Sequence, residues 1–278
     1  MASNPAHLLR VGIINYENTL PWRHNLELPP ALAEAVVWKH GNPAELNTAM
    51  QQHQLEVSIV STAHYLQYAQ QYKLLPTACI ASVLQAESVF WVCQGNYASL
   101  EEALTHHSTV YISSESATSV AVFEGLLHRW WPQRHRFERY ASKQGVATLN
   151  THGNAFLIGD EALALLQQPN LHTHHTVFDL ATLWHDWQQA QGWQPLPLVF
   201  AVWVAQRTLS PQQQALAVAL IQHLQTHAEA NVPTCSAWLP QYQLPVERER
   251  YFQTSLCYAL SLHDYEDAIQ RLSDMIST

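Results

Sequence analysis

Glycine is scarce in this chain, 8 among 278 residues. None is grouped into a phosphate-cradling loop or a dinucleotide-binding turn. Both need closely spaced glycines so that the backbone can approach the phosphates. Nucleotide binding of those kinds is therefore excluded. No stretch of about 18 apolar residues occurs, so no membrane span is expected. The four cysteines, Cys79, Cys93, Cys235 and Cys257, stand far apart. They offer no paired spacing for zinc or for redox chemistry, and they read as buried reduced thiols. Charge is thin: 13% of residues are charged and the net charge is -9. The only basic cluster is Arg129, Arg134, Arg136 and Arg139, with Lys143 beyond it. It reads as a solvated surface, and neither nucleic acid nor a membrane is expected as a partner. Met1 to Arg10 lacks a basic segment followed by an apolar one and a small-residue cleavage site. A cytoplasmic location is expected on that ground. No nucleophile elbow is present.

What is present is ample core material, 47% hydrophobic residues, enough for a sizeable folded interior. Seventeen histidines invite a metal site. The densest group, His172, His174 and His175, follows Pro169 and Asn170, which points to a loop. It has no Asp, Glu or Cys at a supporting spacing. No metal and no cofactor are expected. Trp130, Trp131, Trp184, Trp187 and Trp193 read as packing residues.

Apolar runs alternate with amphipathic stretches. Strands are expected at Leu9–Ile14, Val57–Val60, Val89–Val92, Thr109–Ile112, Ala155–Ile158 and Leu198–Val204. Helices are expected at Pro43–Gln51, Ala63–Gln70, Thr118–Trp130, Glu161–Gln167 and Leu180–Ala190. This alternation implies an α/β protein with parallel sheets. From Pro211 onward only helix signals appear: Pro211–His227, a Pro-punctuated link at Val232–Pro245, then Val246–Leu260 and His263–Ile276. Ser210-Pro211 is a strong helix start, and Asp264 is a candidate cap for the last helix.

Four polar clusters stand where apolar strands end. They are Tyr16-Glu17-Asn18-Thr19, then Ser61-Thr62, then Ser113 to Ser119, then Gly159-Asp160-Glu161. Each is explicable as an ordinary helix cap. Together they place free amides and hydroxyls at the carboxyl ends of strands, which suits a carboxylate or phosphate ligand. A ligand with two carboxylates could use two such ends and need few arginines, and these loops contain none.

In this order, the segments resemble the chorismate dehydratases of the futalosine route to menaquinone. The matching residues are Gly12 through Pro21, Glu56 to Thr62 with Tyr65, Ser88-Val89, and Ser116-Ala117-Thr118-Ser119. Leu157 to Leu163, Asp179-Leu180, Trp184 and Pro197 to Trp203 complete the series. The match departs from the family pattern at Glu17, Leu20 and Glu56. The resemblance implies a two-lobed type II periplasmic-binding-protein-like fold with a helical C-terminal tail. Residues 1–86 and 204–278 would form a discontinuous first lobe and 87–203 the second, with the ligand in the cleft. Chain crossings are expected near Val83–Glu87 and Phe200–Val204.

The implied reaction is dehydration of chorismate, a dicarboxylate, to 3-[(1-carboxyvinyl)oxy]benzoate. Asn18 would hydrogen-bond the leaving hydroxyl or the enolpyruvyl group. Ser61, Thr62, Thr118 and Ser119 would hold carboxylates, with Tyr16, Thr19 and Ser116 as further binding residues. Ser88 would line the crossing, and Asp160 would orient or deprotonate. The proton acceptor stays open between a protein group and the substrate's own side-chain carboxylate. A homodimer is compatible with the sequence. Two rival readings remain: a dihydroxynaphthoate synthase-like enzyme of the same route, and a non-catalytic solute-binding protein for a small carboxylate.

Overall fold

The computed structural model describes residues 8–130, 135–234 and 250–276. Strand β1 (Leu9–Ile14) leads through a tight 3-10 turn at Glu17–Thr19 into α1 (Leu20–Arg23) and α2 (Pro30–Ala33). There follow β2 (Val36–Gly41), α3 (Pro43–Gln51), β3 (Val57–Ser61), α4 (Thr62–Gln67) and β4 (Tyr72–Ser82). The chain then builds β5 (Val89–Gln94), α5 (Leu100–His106), β6 (Thr109–Ser113), α6 (Ala117–Trp130) and β7 (Arg136–Tyr140). Next come α7 (Gly145–His152), β8 (Asn154–Ile158), α8 (Gly159–Leu166), α9 (Leu171–His174), β9 (His175–Asp179) and α10 (Leu180–Ala190). It closes with β10 (Leu198–Gln206), α11 (Pro211–Asn231), a π-helical turn at Tyr251–Ser255, β11 (Cys257–Ala259) and α12 (Leu262–Ile276).

The strands form two sheets, one ordered β11-β4-β10-β3-β1-β2 and the other β7-β6-β8-β5-β9. The expectation of parallel sheets is only partly met. β1 runs parallel to β2 and β3, and β6 runs parallel to β7 and β8. However, β10 is antiparallel to β3 and β4, and β5 is antiparallel to β8 and β9. The reason is connectivity. β3 and β8 finish at one end of their sheets, whereas β10 and β5 enter there after the chain has crossed from the other sheet. Hence Ala201, early in β10, pairs with Ser61 at the end of β3, and Val89 pairs with Ile158. All of β10 belongs to the first sheet, from Leu198 opposite Ser82 onward. The expected boundary between 203 and 204 therefore falls inside this strand.

Buried runs explain the central strands. Every residue of β3 and of β8 is buried, as befits strands covered on both faces. Gly12 permits the close approach of β1 to β3: a Cβ there would lie 2.3 Å from Ser58 Oγ. One core gathers around Trp22, Tyr72, Trp203 and Leu220, and a second around Trp91, Phe123, Phe156 and Trp184. The apolar stripe of α12 divides between them. Tyr265, Ala268 and Ile269 enter the first core, and Leu272 and Met275 enter the second.

Helix starts follow side-chain chemistry. Asn42 and Glu45 exchange backbone hydrogen bonds at the head of α3, as Ser210 and Gln213 do at α11. At α12 the cap is Ser261, whose Oγ accepts from the Asp264 N–H at 3.1 Å and donates to its carboxylate. Asp264 is thus the third-position partner and not the cap.

Three further expectations are corrected. The tail is not purely helical, because Cys257–Ala259 pairs with β4. The cluster His172 to His175 is not a loop: His172 and His174 sit on α9 and His175 opens β9. Arg129 is no free surface charge. It donates to the carbonyls of Met275 and Asp274 and lies 5.8 Å from the Trp187 ring centroid. Trp131, Arg134 and Cys235 lie outside the described residues, as do residues 235–249 of the expected link and helix. Cys79, Cys93 and Cys257 are free thiols.

Candidate active site

Strands β1, β3, β6 and β8 all end beside one small cavity of about 50 Å³, set between the two sheets. Its polar wall is Tyr16, Asn18, Ser61, Ser88, Ser116 and Ser119; Ile14, Ile80, Val89, Ile158, Phe200 and Leu256 make most of the rest. Six of the expected site residues thus share one space. None of the described residues lining it is Asp, Glu, His, Lys or Arg. Its field comes from hydroxyls, an amide and backbone dipoles.

Each polar group has a fixed setting. Asn18 lies in the turn after β1. Its side-chain oxygen is buried with no hydrogen-bond partner, while its backbone carbonyl accepts from the Tyr258 hydroxyl at 2.9 Å. A buried acceptor left unpaired costs about 1–3 kcal/mol, which a ligand donor would recover. Ser61 precedes α4 and is clamped by Asn47, which accepts its N–H and donates to its Oγ at 2.8 Å. That leaves the Ser61 hydroxyl hydrogen for the cavity. Ser116 caps α6 by accepting the Ser119 N–H, and its hydroxyl donates to Ser119 Oγ at 2.8 Å. The hydrogen of Ser119 is correspondingly free to donate. Ser88 Oγ accepts from the Tyr251 hydroxyl at 3.0 Å, and the Ser88 carbonyl accepts the Gly159 N–H.

Tyr16 closes one side. Its hydroxyl donates to Glu115 at 2.9 Å, and its ring lies against Gly159. Gly159 has φ +62, and a Cβ there would meet the ring at 3.0 Å, so only glycine fits without strain. Burial first, and then the Glu115 carboxylate, push the Tyr16 phenol far above its ordinary range, so it remains a donor.

The other four expected residues are placed differently. Thr19 donates to the Ile14 carbonyl at 2.7 Å and accepts from Arg23, fixing the loop. Thr62 donates to the Val199 carbonyl at 2.7 Å. Thr118 donates to the Phe200 carbonyl and accepts the Ala63 N–H, tying α6 to the first sheet and α4. Asp160 lines an adjoining space with Glu45, Glu115, Lys143 and Glu161, and accepts the Glu17 N–H at 2.9 Å. Burial pushes its carboxyl up to about 6, against the pull of Arg23 and Lys143. Glu17 itself is buried and does not line the cavity. Asn47, Tyr251, Leu256 and Tyr258 are the contributors that sequence reasoning missed. Nothing local in residues 250–260 signals proximity to Asn18 or Ser88; only strand pairing brings them there. Among the described residues no group of three or more His, Cys, Asp or Glu side chains could hold a metal ion.

Two α/β layers joined by two crossings, with a cavity between them that sets a few hydroxyls and an amide among apolar side chains, define the class of periplasmic-binding-protein-like folds. Solved structures agree. Protein AF1704 from Archaeoglobus fulgidus superposes with a TM-score of 0.69 at 13% identity, covering 99% of this chain and 98% of that one. The periplasmic aliphatic sulphonate binding protein SsuA from Escherichia coli gives 0.63 at 10% identity, over 98% and 92%. A menaquinone-biosynthesis family model matches residues 9–277. A chorismate dehydratase of Thermus thermophilus is 33% identical over 222 residues, 76% of this chain and 74% of that protein. The chain belongs to the menaquinone-biosynthesis family.

Proposed function

We propose that this chain dehydrates chorismate to 3-[(1-carboxyvinyl)oxy]benzoate, as a cytoplasmic step of the futalosine route to menaquinone. The observation that carries the reading is the make-up of the cavity: serine hydroxyls, a buried Asn18 oxygen without a partner and, among the described residues, no carboxylate, imidazole or cation in the lining. Family membership and the 33% identical chorismate dehydratase support it.

The chemistry follows from that wall. Chorismate carries two carboxylates and one ring hydroxyl. Ser61 and Ser119 each have a hydroxyl hydrogen to give to a carboxylate, and Ser119 lies in the first turn of α6, where the helix dipole favours an anion. A ring carboxylate held by such donors withdraws electrons and stabilises the charge that develops when the ring proton leaves. The Asn18 oxygen accepts from the ring hydroxyl and so orients the departing group. Ser88 donates to that oxygen as the carbon–oxygen bond breaks. A protein base should lie within hydrogen-bond reach of the proton it takes. Among the described residues no carboxylate or imidazole lines the cavity, and the substrate's own side-chain carboxylate is the acceptor we assign to the proton. It leaves with the hydroxyl as water, and the ring becomes aromatic. Asp160 keeps a supporting role, holding the backbone of Glu17 next to Asn18.

The test is incubation of the purified protein with chorismate and no added cofactor, followed by chromatography with mass detection. Loss of chorismate with matching growth of the enolpyruvyl-benzoate above the uncatalysed rate is expected. Binding of chorismate without turnover would make the chain a binding protein, and turnover only of a cyclic futalosine derivative would make it a dihydroxynaphthoate synthase.

A further inference from the structure

The segment after residue 249 reaches the cavity by adding an edge strand. Cys257 pairs with Ala81 and Ala259 with Ala78, which seats Leu256 in the cavity wall. The same pairing places the Tyr251 hydroxyl, 1% exposed as a residue, on Ser88 Oγ at 3.0 Å.

The backbone leading into Ser88 is held unusually firmly. Glu87 has φ +58, a left-handed conformation that is unfavourable for a non-glycine residue and persists only where its surroundings enforce it. Its N–H is bound by the Asp179 carboxylate at 2.8 Å, and the same carboxylate accepts the Ala86 N–H at 3.0 Å. The Glu87 carboxylate in turn accepts from Arg250 and from Ser255 Oγ. Ser88 is therefore fixed from the second sheet by Asp179 and from the tail by residues 250–255. Strain stored beside a cavity residue, with the tail enforcing it, marks Ser88 as a residue whose orientation matters.

The hydroxyl of Ser88 has one hydrogen and must aim it somewhere. Its acceptor side is occupied by the Tyr251 O–H. Among the described residues the acceptor for its hydrogen is the Ala86 carbonyl at 3.3 Å, beyond the usual 2.5–3.0 Å of an O–H···O bond. A ligand oxygen in the cavity would make the shorter bond.

We propose that Tyr251 is a positioning residue for the dehydration, acting through Ser88: its hydroxyl donates to Ser88 Oγ and so presents the Ser88 hydrogen to the departing oxygen. This rests on the chorismate dehydratase reading. A phenol locked by burial keeps that hydrogen aimed before the reaction begins, and such preorganised donors act on the transition state more than on substrate binding. In Tyr251→Phe the ring and its packing stay, and only the hydroxyl is lost.

The experiment is a kinetic double-mutant cycle of Tyr251→Phe and Ser88→Ala with chorismate, with kcat and KM read from steady-state turnover and, for variants too slow for that, the rate read from single turnover with enzyme in excess. Tyr251→Phe is expected to lower kcat about ten-fold with KM within about two-fold of wild type, and to stay folded with a melting temperature lowered by no more than a few degrees. In the Ser88→Ala background the same change is expected to move the rate by no more than about two-fold, because its route is already gone. Equal losses in both backgrounds, or a Tyr251→Phe protein with wild-type kcat, would overturn the proposal while leaving the dehydratase reading intact. A wild-type protein that leaves chorismate untouched would overturn both. Should Ser88→Ala have no measurable rate at all, the division between kcat and KM in Tyr251→Phe decides: a loss confined to KM sinks the positioning role.

Discussion

At the scale of single residues, the cavity is defined by groups that lack something. The Asn18 oxygen lacks a donor, and its place in the turn does not depend on its side chain, since Tyr258 holds the backbone carbonyl. Asn18→Ala should therefore fold normally and lose about 100-fold in kcat, the size of a lost transition-state contact in a dry site; turnover of chorismate by the variant checks it. Asp160 makes the opposite case. Its folded carboxyl titrates near 6, above its ordinary 3.8, because burial disfavours the charged form. Between those values the folded protein binds a proton that the unfolded chain does not. Stability from this group is thus fully present below the lower value and is lost as pH rises through about 6. Asp160→Asn keeps an acceptor for the Glu17 N–H and removes the charge. It should melt higher than wild type well above pH 6, show a flatter dependence of melting temperature across that window, and retain turnover. A steeper dependence, or an inactive protein, would return Asp160 to the chemistry.

At the scale of elements, the legible parts were those whose local pattern and tertiary role agree. β1, β3, β5, β6, β8 and β10 are apolar runs because both faces are covered, and the serine or threonine after several of them shows where a helix begins. The strands that were not anticipated break that agreement. β2, β7, β9 and β11 lie at sheet edges; β2 and β7 carry exposed charge such as Lys39 and Arg136, β9 is only half-buried throughout, and β11 is three residues long. β4 lies inside its sheet but contains Pro76, and its register against β10 slips between Leu75 and Cys79. Residues 256–260 have helix-like spacing, yet pairing with β4 draws Cys257–Ala259 into a strand. Helix α12 was legible as a helix but not as a bridge, because periodicity says which face is buried and not against what. Its Leu272 is fully buried in the second core while Tyr265, three and four residues before Ala268 and Ile269, lies in the first. Leu272→Ala should cost about 2–5 kcal/mol, read as a lower urea midpoint, because it opens a hole in the second core where the helix meets α6.

At the scale of the whole molecule, the polar clusters were legible one by one, whereas their meeting was not, since it depends on how the two sheets face each other. They do meet: Tyr16 reaches Glu115, the Glu17 N–H reaches Asp160, and the Ala63 N–H reaches Thr118. Each bond spans the cleft, so the elements of the two sheets are tied together beside the cavity at several points. Substrate entry must break some of these bonds, and closure must remake them around the ligand. Enzymes of this kind commonly divide their work between opening and chemistry. Tyr16→Phe keeps the ring against Gly159 and removes only the bond to Glu115. It weakens the closed state without touching Asn18 or Ser88. The expected result is a KM raised about five-fold, the worth of one hydrogen bond of about 1 kcal/mol, with kcat nearly unchanged and a larger radius of gyration by X-ray scattering in the unliganded protein. A fall in kcat at constant KM would instead place the Tyr16 hydroxyl on the reacting atoms, and the cleft-closing role would pass to the Thr118 and Asp160 bonds alone.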